Sequence, residues 1–126
     1  MRKKILVVDD EEDIREVVKS RLISQGYDVL TAENGLMALS LARREKPDLI
    51  ILDIMMPNMD GYTTLKELRK DREIGQTPVI MLSVKERDKM EDIFYFQNIS
   101  GYIEKPFESE ELIEKVKSIL EKNNQS

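Results

Sequence analysis

Short apolar runs alternate with amphipathic segments along this chain. The clearest run, Leu49–Leu52, has four consecutive apolar residues, and Asp53 and a loop that contains Pro57 and Gly61 follow it. An unbroken run of this kind is typical of a strand buried on both faces, as in a parallel sheet covered by helices. The pattern therefore places Asp53 at the carboxyl end of a central strand.

Four further apolar runs also have the length and composition of strands. They are rich in β-branched residues and end in turn-forming or charged residues. The fourth strand along the chain opens after Thr77 and Pro78 and is followed by Ser83. The five predicted strands are Lys4–Val8, Asp28–Ala32, Leu49–Asp53, Val79–Leu82 and Gly101–Glu104.

Apolar residues in five other segments recur at helical spacing. In the first segment, Ile14, Val17, Val18 and Leu22 form one stripe, and Gly26 is placed to end the helix in a left-handed conformation. The second predicted helix lies before Pro47 and contains Met37, Ala38, Leu41 and Ala42. The third and fourth span Tyr62–Arg72 and Glu86–Gln97. The fifth contains Leu112, Ile113, Val116, Ile119 and Leu120.

Strands and helices that alternate five times predict an α/β fold. Right-handed crossovers between parallel strands place helices on both faces of the sheet. We therefore predict a doubly wound parallel sheet with helices on both sides. The 126 residues suit one domain, which we place at residues 1–122, followed by a frayed polar tail at residues 123–126.

Composition excludes several classes of function. The net charge of −5 argues against direct nucleic acid binding, which needs a basic patch. No apolar run approaches the roughly 20 residues that cross a bilayer, so we expect a cytoplasmic protein without a membrane partner. The absence of Cys and His excludes thiol and imidazole chemistry. Covalent chemistry would have to use a carboxylate, a hydroxyl or an amine.

Five polar residues follow the carboxyl ends of predicted strands. Asp9 and Asp10 follow the first strand, Asp53 the third, Ser83 the fourth and Lys105 the fifth. If the first strand lies beside the third, the three carboxylates converge at the topological switch point. Because crowded carboxylates repel and no His is present, Mg²⁺ is the simplest counter-charge. The Lys105 amine would add a second.

Each of these residues also has an ordinary structural interpretation. Asp53 could simply end its strand, and Asp9 or Asp10 could cap the first helix. Ser83 could be the N-cap of the next helix. Lys105 could be a solvated surface amine, as most lysines are. The sequence pattern alone leaves these alternatives open.

Four motifs resemble the receiver domain of bacterial response regulators, the chemotaxis-regulator-like family. They cover essentially the whole chain and each lies at a strand end, which makes the combination specific. The resemblance implies a flavodoxin-like, three-layer sandwich of five strands in the order 2-1-3-4-5 with five helices. The motifs are Val7–Glu11, Leu52–Pro57 with Asp60 and Gly61, Pro78–Ser83, and Tyr102–Phe107.

The resemblance also implies a phosphoacceptor and a metal site. Asp53 would take a phosphoryl group from the phosphohistidine of a sensor histidine kinase or a phosphotransfer protein. Asp10 would bind Mg²⁺ directly and Asp9 through water, while Asp53 and the Met55 backbone carbonyl would complete the protein's ligands. The protein would catalyse only its own phosphotransfer and dephosphorylation, so we do not class it as an enzyme.

The remaining roles implied by the resemblance concern switching. Lys105 would pair with the phosphoryl oxygens, held by a cis bond to Pro106, and Ser83 would donate a hydrogen bond to one of them. Ser83 and Tyr102 would form the switch. A downstream output domain or target protein would read the face of the fourth helix, fifth strand and fifth helix. A phosphorylation-dependent homodimer is a further expectation.

Three alternatives keep a similar topology. An aspartate-nucleophile phosphatase would need an Asp-x-Asp pair, which Val8–Glu11 lacks. A flavodoxin-like cofactor module would need a phosphate-binding loop after a strand. An unphosphorylated docking module would keep the fold without the chemistry.

Val84 and the pair Asn98 and Ile99 depart from the commonest receiver pattern, which puts the switching surface in doubt. The sequence fits both a stand-alone regulator and a piece of a longer protein.

Overall fold

The computed structural model describes residues 2–56, 59–84 and 99–124. The predicted helix at 86–97 and the Asn98 departure lie outside these residues. Within them, the elements in chain order are β1 (Lys4–Val8), α1 (Glu12–Ser24), β2 (Asp28–Ala32), α2 (Gly35–Glu45), β3 (Leu49–Asp53), α3 (Gly61–Lys70), β4 (Val79–Val84), β5 (Gly101–Lys105) and α4 (Ser109–Asn124).

The sheet has five parallel strands in the order β2-β1-β3-β4-β5, which confirms the predicted fold class and strand order. The central strand β3 is buried at all five positions. In register, Val8 of β1 pairs with Leu52 of β3, and Asp53 pairs with Leu82 of β4. The residues that follow β1 and end β3 therefore lie side by side at one edge of the sheet.

Alternate residues of the strands feed two separate apolar clusters, one on each face. Leu6, Val8, Ile50 and Leu52 pack on one face with residues of α2 and α3, among them Ala38, Ala42, Leu65 and Leu68. Ile5, Val7, Leu49 and Ile51 pack on the other face with residues of α1 and α4, among them Val18, Leu22, Leu112 and Val116. The result is the predicted three-layer sandwich.

The first helix ends as its sequence predicts. Gly26 follows the C-cap residue Gln25 and has a φ of +95°, a conformation that costs glycine little because it has no Cβ. The chain then turns directly into β2.

Two apolar residues assigned to helix stripes are not in the core. Val17 is 55% exposed and Met37 is 41% exposed. A stripe with the i, i+3, i+4 spacing is wider than the surface that the sheet can cover, so Val18 and Leu22 take the core positions of α1. Val17 instead lines an open groove with Ile14 and Phe107.

Several predicted element ends are also wrong by one or two residues. The third helix begins at Gly61 and ends at Lys70 instead of spanning 62–72. The strands β4 and β5 extend past their predicted carboxyl ends, because Ser83 pairs with Glu104 and Val84 pairs with Lys105. Ser83, Glu104 and Lys105 carry no apolar signal, and Val84 follows a polar residue, yet the ladder includes all four. The last helix continues to Asn124, two residues into the predicted polar tail.

Candidate functional site

Three carboxylates meet at the carboxyl edge of the sheet, as the sequence predicts. Asp9 and Asp53 are buried and Asp10 is exposed. Each offers one oxygen, and these three atoms lie within 4.8 Å of one another. The neighbouring positions of β1 and β3 in the sheet produce this cluster, because Asp9 follows Val8 and Asp53 follows Leu52 in the paired register.

Asp9 is held by hydrogen bonds to its backbone and to both carboxylate oxygens. Its N–H donates to the Ala32 carbonyl at 3.2 Å. Its Oδ1 accepts from the Glu11 N–H at 2.9 Å, and its Oδ2 accepts from the Lys105 ammonium at 2.8 Å. Its carbonyl accepts from Nη1 of Arg15 at 2.8 Å. Both side-chain oxygens therefore already have donors before any cation binds.

Asp10 differs from Asp9 in exposure and in contacts. In the described part of the chain, no side chain or backbone group makes a hydrogen bond or ion pair with it. The N-cap residue of α1 is Glu11, whose side chain makes no capping hydrogen bond. The interpretation of Asp9 or Asp10 as a helix cap is therefore wrong, and the Asp10 carboxylate is available to a ligand.

Lys105 lies among the carboxylates and not at the surface. Its Nζ is 2.8 Å from Asp9 Oδ2 and 3.3 Å from Asp53 Oδ1, and its side chain is only 12% exposed. Burial acts to lower the pKa of this ammonium, but its hydrogen bond to Asp9 and the charges of both aspartates raise the pKa overall. The peptide bond to Pro106 is cis, as the resemblance implied. The surface-amine interpretation is wrong.

The two carboxylate oxygens of Asp53 differ in their hydrogen bonds. Oδ1 accepts the Met55 N–H at 3.3 Å and faces Lys105. Oδ2 is buried and has no hydrogen-bond partner among the described residues. Burial, and then the charge of Asp9, raise the pKa of Asp53 to about 7, although Lys105 and the Met55 N–H act against this. The site is therefore short of positive charge when Asp53 is ionised.

These observations fit a hard divalent cation. A buried carboxylate oxygen without a partner, next to two further carboxylates, matches the all-oxygen ligand set that Mg²⁺ prefers. The resemblance implies a Met55 carbonyl ligand, which stays a prediction. The Met55 side chain is 47% exposed, whereas Met56 is buried.

Gly61 is required where α3 meets the end of β3. Its N–H donates to the Ile54 carbonyl at 2.8 Å. A Cβ at this position would lie 2.5 Å from the Asp53 carbonyl oxygen and 2.7 Å from the Ile54 Cα. Both are backbone atoms that cannot move aside without shifting Asp53. The Asp60 side chain, which accepts from the Thr63 N–H at 2.8 Å, caps the same helix.

We expect Gly61→Ala to destabilise the protein by about 2 kcal/mol, because the added methyl overpacks against backbone. Gly101→Ala is the matched control, since the nearest atoms to its Cβ belong to the flexible Lys115 side chain, at 3.0 Å and 3.2 Å. Urea unfolding of both variants measures the difference. Equal free energies of unfolding for the two variants would contradict this account of Gly61.

Ser83 and Tyr102, the predicted switch pair, are in contact. Ser83 is buried in β4, and its Oγ lies 3.3 Å from the Tyr102 hydroxyl. That hydroxyl also donates to Oε1 of Glu104 at 3.5 Å. Ser83 lies one residue beyond Leu82, the partner of Asp53, so it stands at the same edge of the sheet as Asp53. Its interpretation as an N-cap concerns residues after Val84, which lie outside the described residues.

Two contacts of the site were not predicted from the sequence. One is the Arg15 guanidinium on the Asp9 carbonyl, and the other is the Glu104 carboxylate at the Tyr102 hydroxyl. Arg15 lies four residues after Glu11, one helical turn further on. Helical spacing alone could therefore have placed its side chain near the turn between Asp9 and Glu11. Glu104 lies two residues from Tyr102, on the same face of β5.

A sequence profile of the response regulator receiver domain matches residues 5–117. This match covers most of the chain, including every residue of the site. The chain belongs to the response regulator receiver family. Receiver domains are phosphoacceptor regulators of two-component systems, and they interact with histidine kinases and output domains. Membership of this family decides against the phosphatase and cofactor-module alternatives.

Individual relatives agree with the family assignment. The chain is 42% identical over 123 residues to the alkaline phosphatase synthesis transcriptional regulatory protein PhoP of Bacillus subtilis. The matched region covers 98% of this chain and 50% of that protein. The chain thus spans about half the length of the curated relatives it matches.

Solved receiver structures share the fold over nearly full length. The chemotaxis protein CheY4 of Vibrio cholerae is 32% identical with a TM-score of 0.85, covering 94% of this chain and 98% of its own. A CheY-like receiver domain of Methanospirillum hungatei is 29% identical with a TM-score of 0.87, covering 100% of both chains.

Among the described residues, no helix has the length and apolar character needed to span a membrane.

Proposed function

We propose that this receiver is a Mg²⁺-dependent phosphoacceptor switch in which Asp53 takes a phosphoryl group from a sensor histidine kinase or phosphotransfer protein. The observation that carries the proposal is the buried Oδ2 of Asp53, which has no partner among the described residues and lies beside two more carboxylates. An oxygen in this position is both a candidate metal ligand and a candidate nucleophile. A cytoplasmic location follows from this choice of partner.

Each carboxylate has a distinct role in the proposed metal site. Asp10 is exposed and would bind Mg²⁺ directly. Asp9 would act through water, because Lys105 and the Glu11 N–H already occupy its two oxygens. Asp53 and the Met55 carbonyl complete the set. When bound, the cation supplies charge neutralisation between the anionic carboxylate and the incoming phosphoryl oxygens.

The proposed reaction is an exchange of bonds at phosphorus. A carboxylate oxygen of Asp53 forms the new P–O bond, and the P–N bond to the donor histidine breaks. The Lys105 ammonium, now paired with Asp9 and Asp53, would pair with a phosphoryl oxygen. Ser83 would donate a hydrogen bond to another.

The proposed output begins at Ser83. When its hydroxyl moves to the phosphoryl group, it leaves the Tyr102 hydroxyl, which now lies 3.3 Å away. Tyr102 then adjusts on β5, which belongs with α4 to the output face that the receiver resemblance implies. A downstream output domain or target protein would read that face, and a phosphorylation-dependent homodimer could use it. Nucleic acid contact is assigned to such a partner and not to this acidic chain.

Acetyl phosphate tests the proposal without a kinase. The wild type should gain the mass of one phosphoryl group when MgCl₂ is present and none when EDTA replaces it. Intact-protein mass spectrometry measures the gain. Labelling that is equal with and without the chelator would overturn the metal requirement, and no labelling under either condition would favour the unphosphorylated docking module.

Mg²⁺ should also raise the thermal unfolding midpoint, and more so at about pH 7.5 than at about pH 5.5. The pKa of Asp53 is raised to about 7, so its carboxyl is mostly protonated at the lower pH and protons compete with the cation. Differential scanning fluorimetry at both values measures this, with NaCl at equal ionic strength as reference. Asp10→Asn is the control and should lose most of the shift. A larger shift at the lower pH would contradict this assignment.

A further inference from the structure

We propose that Arg15 is a positioning residue of the metal site. Its guanidinium holds the Asp9 carbonyl and thereby fixes the turn that presents Asp9 and Asp10 to a divalent cation. The inference rests on the proposed function, since it concerns the same site. It assigns a role to a side chain of α1 that is not among the proposed metal ligands.

The contact lies at the end of the sheet, where the Asp9 N–H still donates to the Ala32 carbonyl of β2 at 3.2 Å. Pairing between β1 and β3 ends at Val8 and Leu52, so the Asp9 carbonyl lies one residue past the ladder. Arg15 reaches back from the first turns of α1, and its Nη1 donates to this carbonyl at 2.8 Å. The Arg15 N–H also donates to the Glu11 carbonyl at 3.1 Å. Backbone and side chain of one residue thus engage both ends of the turn.

Asp10 depends on this turn more than its neighbours do. Asp9 is held through its carboxylate by Lys105 and the Glu11 N–H. Asp10 is exposed, and within the described ranges no hydrogen bond or ion pair places its side chain. Its direction is therefore set by the backbone between Asp9 and Glu11. A charge-assisted hydrogen bond from a half-buried guanidinium is stronger than one from a neutral donor, and suits this task.

A second effect of Arg15 has the opposite sign, which makes the inference testable. As a positive charge near the site, Arg15 would repel a divalent cation, so its removal would tighten Mg²⁺ binding. As a positioning residue, its removal would loosen the turn and weaken Mg²⁺ binding. The direction of the change separates the two effects.

The test uses Arg15→Gln and Arg15→Lys, with Arg21→Gln as control. Arg21 is on the same helix and pairs with Glu110 at 2.6 Å, away from the carboxylate cluster. We expect Arg15→Gln to raise the Mg²⁺ dissociation constant about tenfold, by the loss of a hydrogen bond from a charged donor. Arg15→Lys should restore part of the affinity, and Arg21→Gln should change it less than about twofold. Isothermal titration calorimetry measures all three.

Two further readouts distinguish positioning from folding. In metal-free protein, the NMR signal of the Glu11 N–H, which donates to Asp9 Oδ1, should shift or broaden in Arg15→Gln and not in Arg21→Gln. With acetyl phosphate, Arg15→Gln should need more Mg²⁺ for half-maximal labelling but reach the wild-type rate at saturation. A structural role alone would lower the unfolding midpoint and leave these two quantities unchanged.

Unchanged or tighter Mg²⁺ binding in Arg15→Gln would overturn the inference and leave the proposed function standing. Wild-type protein that neither binds Mg²⁺ nor accepts phosphoryl groups would instead overturn the proposed function. The two failures are therefore distinguishable in one set of titrations.

Discussion

Asp53→Asn protein is expected to take up no phosphoryl group from acetyl phosphate and MgCl₂ under conditions that label the wild type. The amide is a poor nucleophile and cannot form an acyl phosphate, while its size and buried position are unchanged. The Asp9 and Asp10 carboxylates remain in place, so the loss would be assigned to the acceptor alone. Intact-protein mass spectrometry over a time course measures the labelling.

Asp28→Asn is the matched control for this variant. Asp28 undergoes the same chemical change at an exposed position, where it pairs with Arg2 at 3.7 Å. We expect its labelling to equal that of the wild type. Label on Asp53→Asn at the wild-type level would show that another residue is the acceptor.

The same variant should change the pH dependence of stability. Between its ordinary value near 3.8 and about 7, folded Asp53 keeps a proton that the unfolded chain has released. Stability of the metal-free wild type should therefore fall as the pH rises through this window, because the folded state binds more protons. Asparagine does not titrate, so this part of the decline should be missing in Asp53→Asn.

Lys105→Met is expected to destabilise metal-free protein by about 3 kcal/mol at about pH 7.5, because it leaves the buried carboxylates without the positive charge of the Lys105 ammonium. Lys105 now lies 2.8 Å from Asp9 and 3.3 Å from Asp53. The loss should shrink at about pH 5.5, because Asp53 then binds a proton and one negative charge disappears. Urea unfolding at both values measures the two free energies.

Lys70→Met provides the comparison for this second variant. Lys70 pairs with Glu67 at 3.1 Å, but its side chain is 64% exposed, and such pairs contribute about 0.5 kcal/mol or less. The same substitution there should have little effect at either pH. If Lys105→Met were as mild as Lys70→Met, the ammonium could not be the counter-charge of the cluster.

The fold and the main site residues could be predicted because they depend on local patterns that the topology then brings together. The apolar run Leu49–Leu52 requires burial on both faces, and a parallel sheet with right-handed crossovers supplies it. Such a sheet places the residues after its strands at one edge. Asp9, Asp53 and Lys105 therefore met as expected, although they are far apart in sequence.

Other features could not be predicted, because neighbours in space decide them. Val17 and Val18 carry the same side chain, and only the packing of α1 on the sheet leaves the first exposed and buries the second. The ends of β4 and β5 depend on the mutual pairing of Ser83 with Glu104 and of Val84 with Lys105. The Arg15 contact with Asp9 requires a particular arrangement of the turn, which a sequence pattern does not contain.

The most direct measurement of the central claim is the position of the phosphoryl group on wild-type protein labelled with acetyl phosphate and MgCl₂. Borohydride reduction converts an aspartyl phosphate into homoserine, which peptide mass spectrometry then locates in the chain. We predict homoserine at residue 53 and nowhere else, and none when EDTA replaces MgCl₂. Homoserine at a different aspartate, or label that survives reduction on a hydroxyl or amine, would contradict the account.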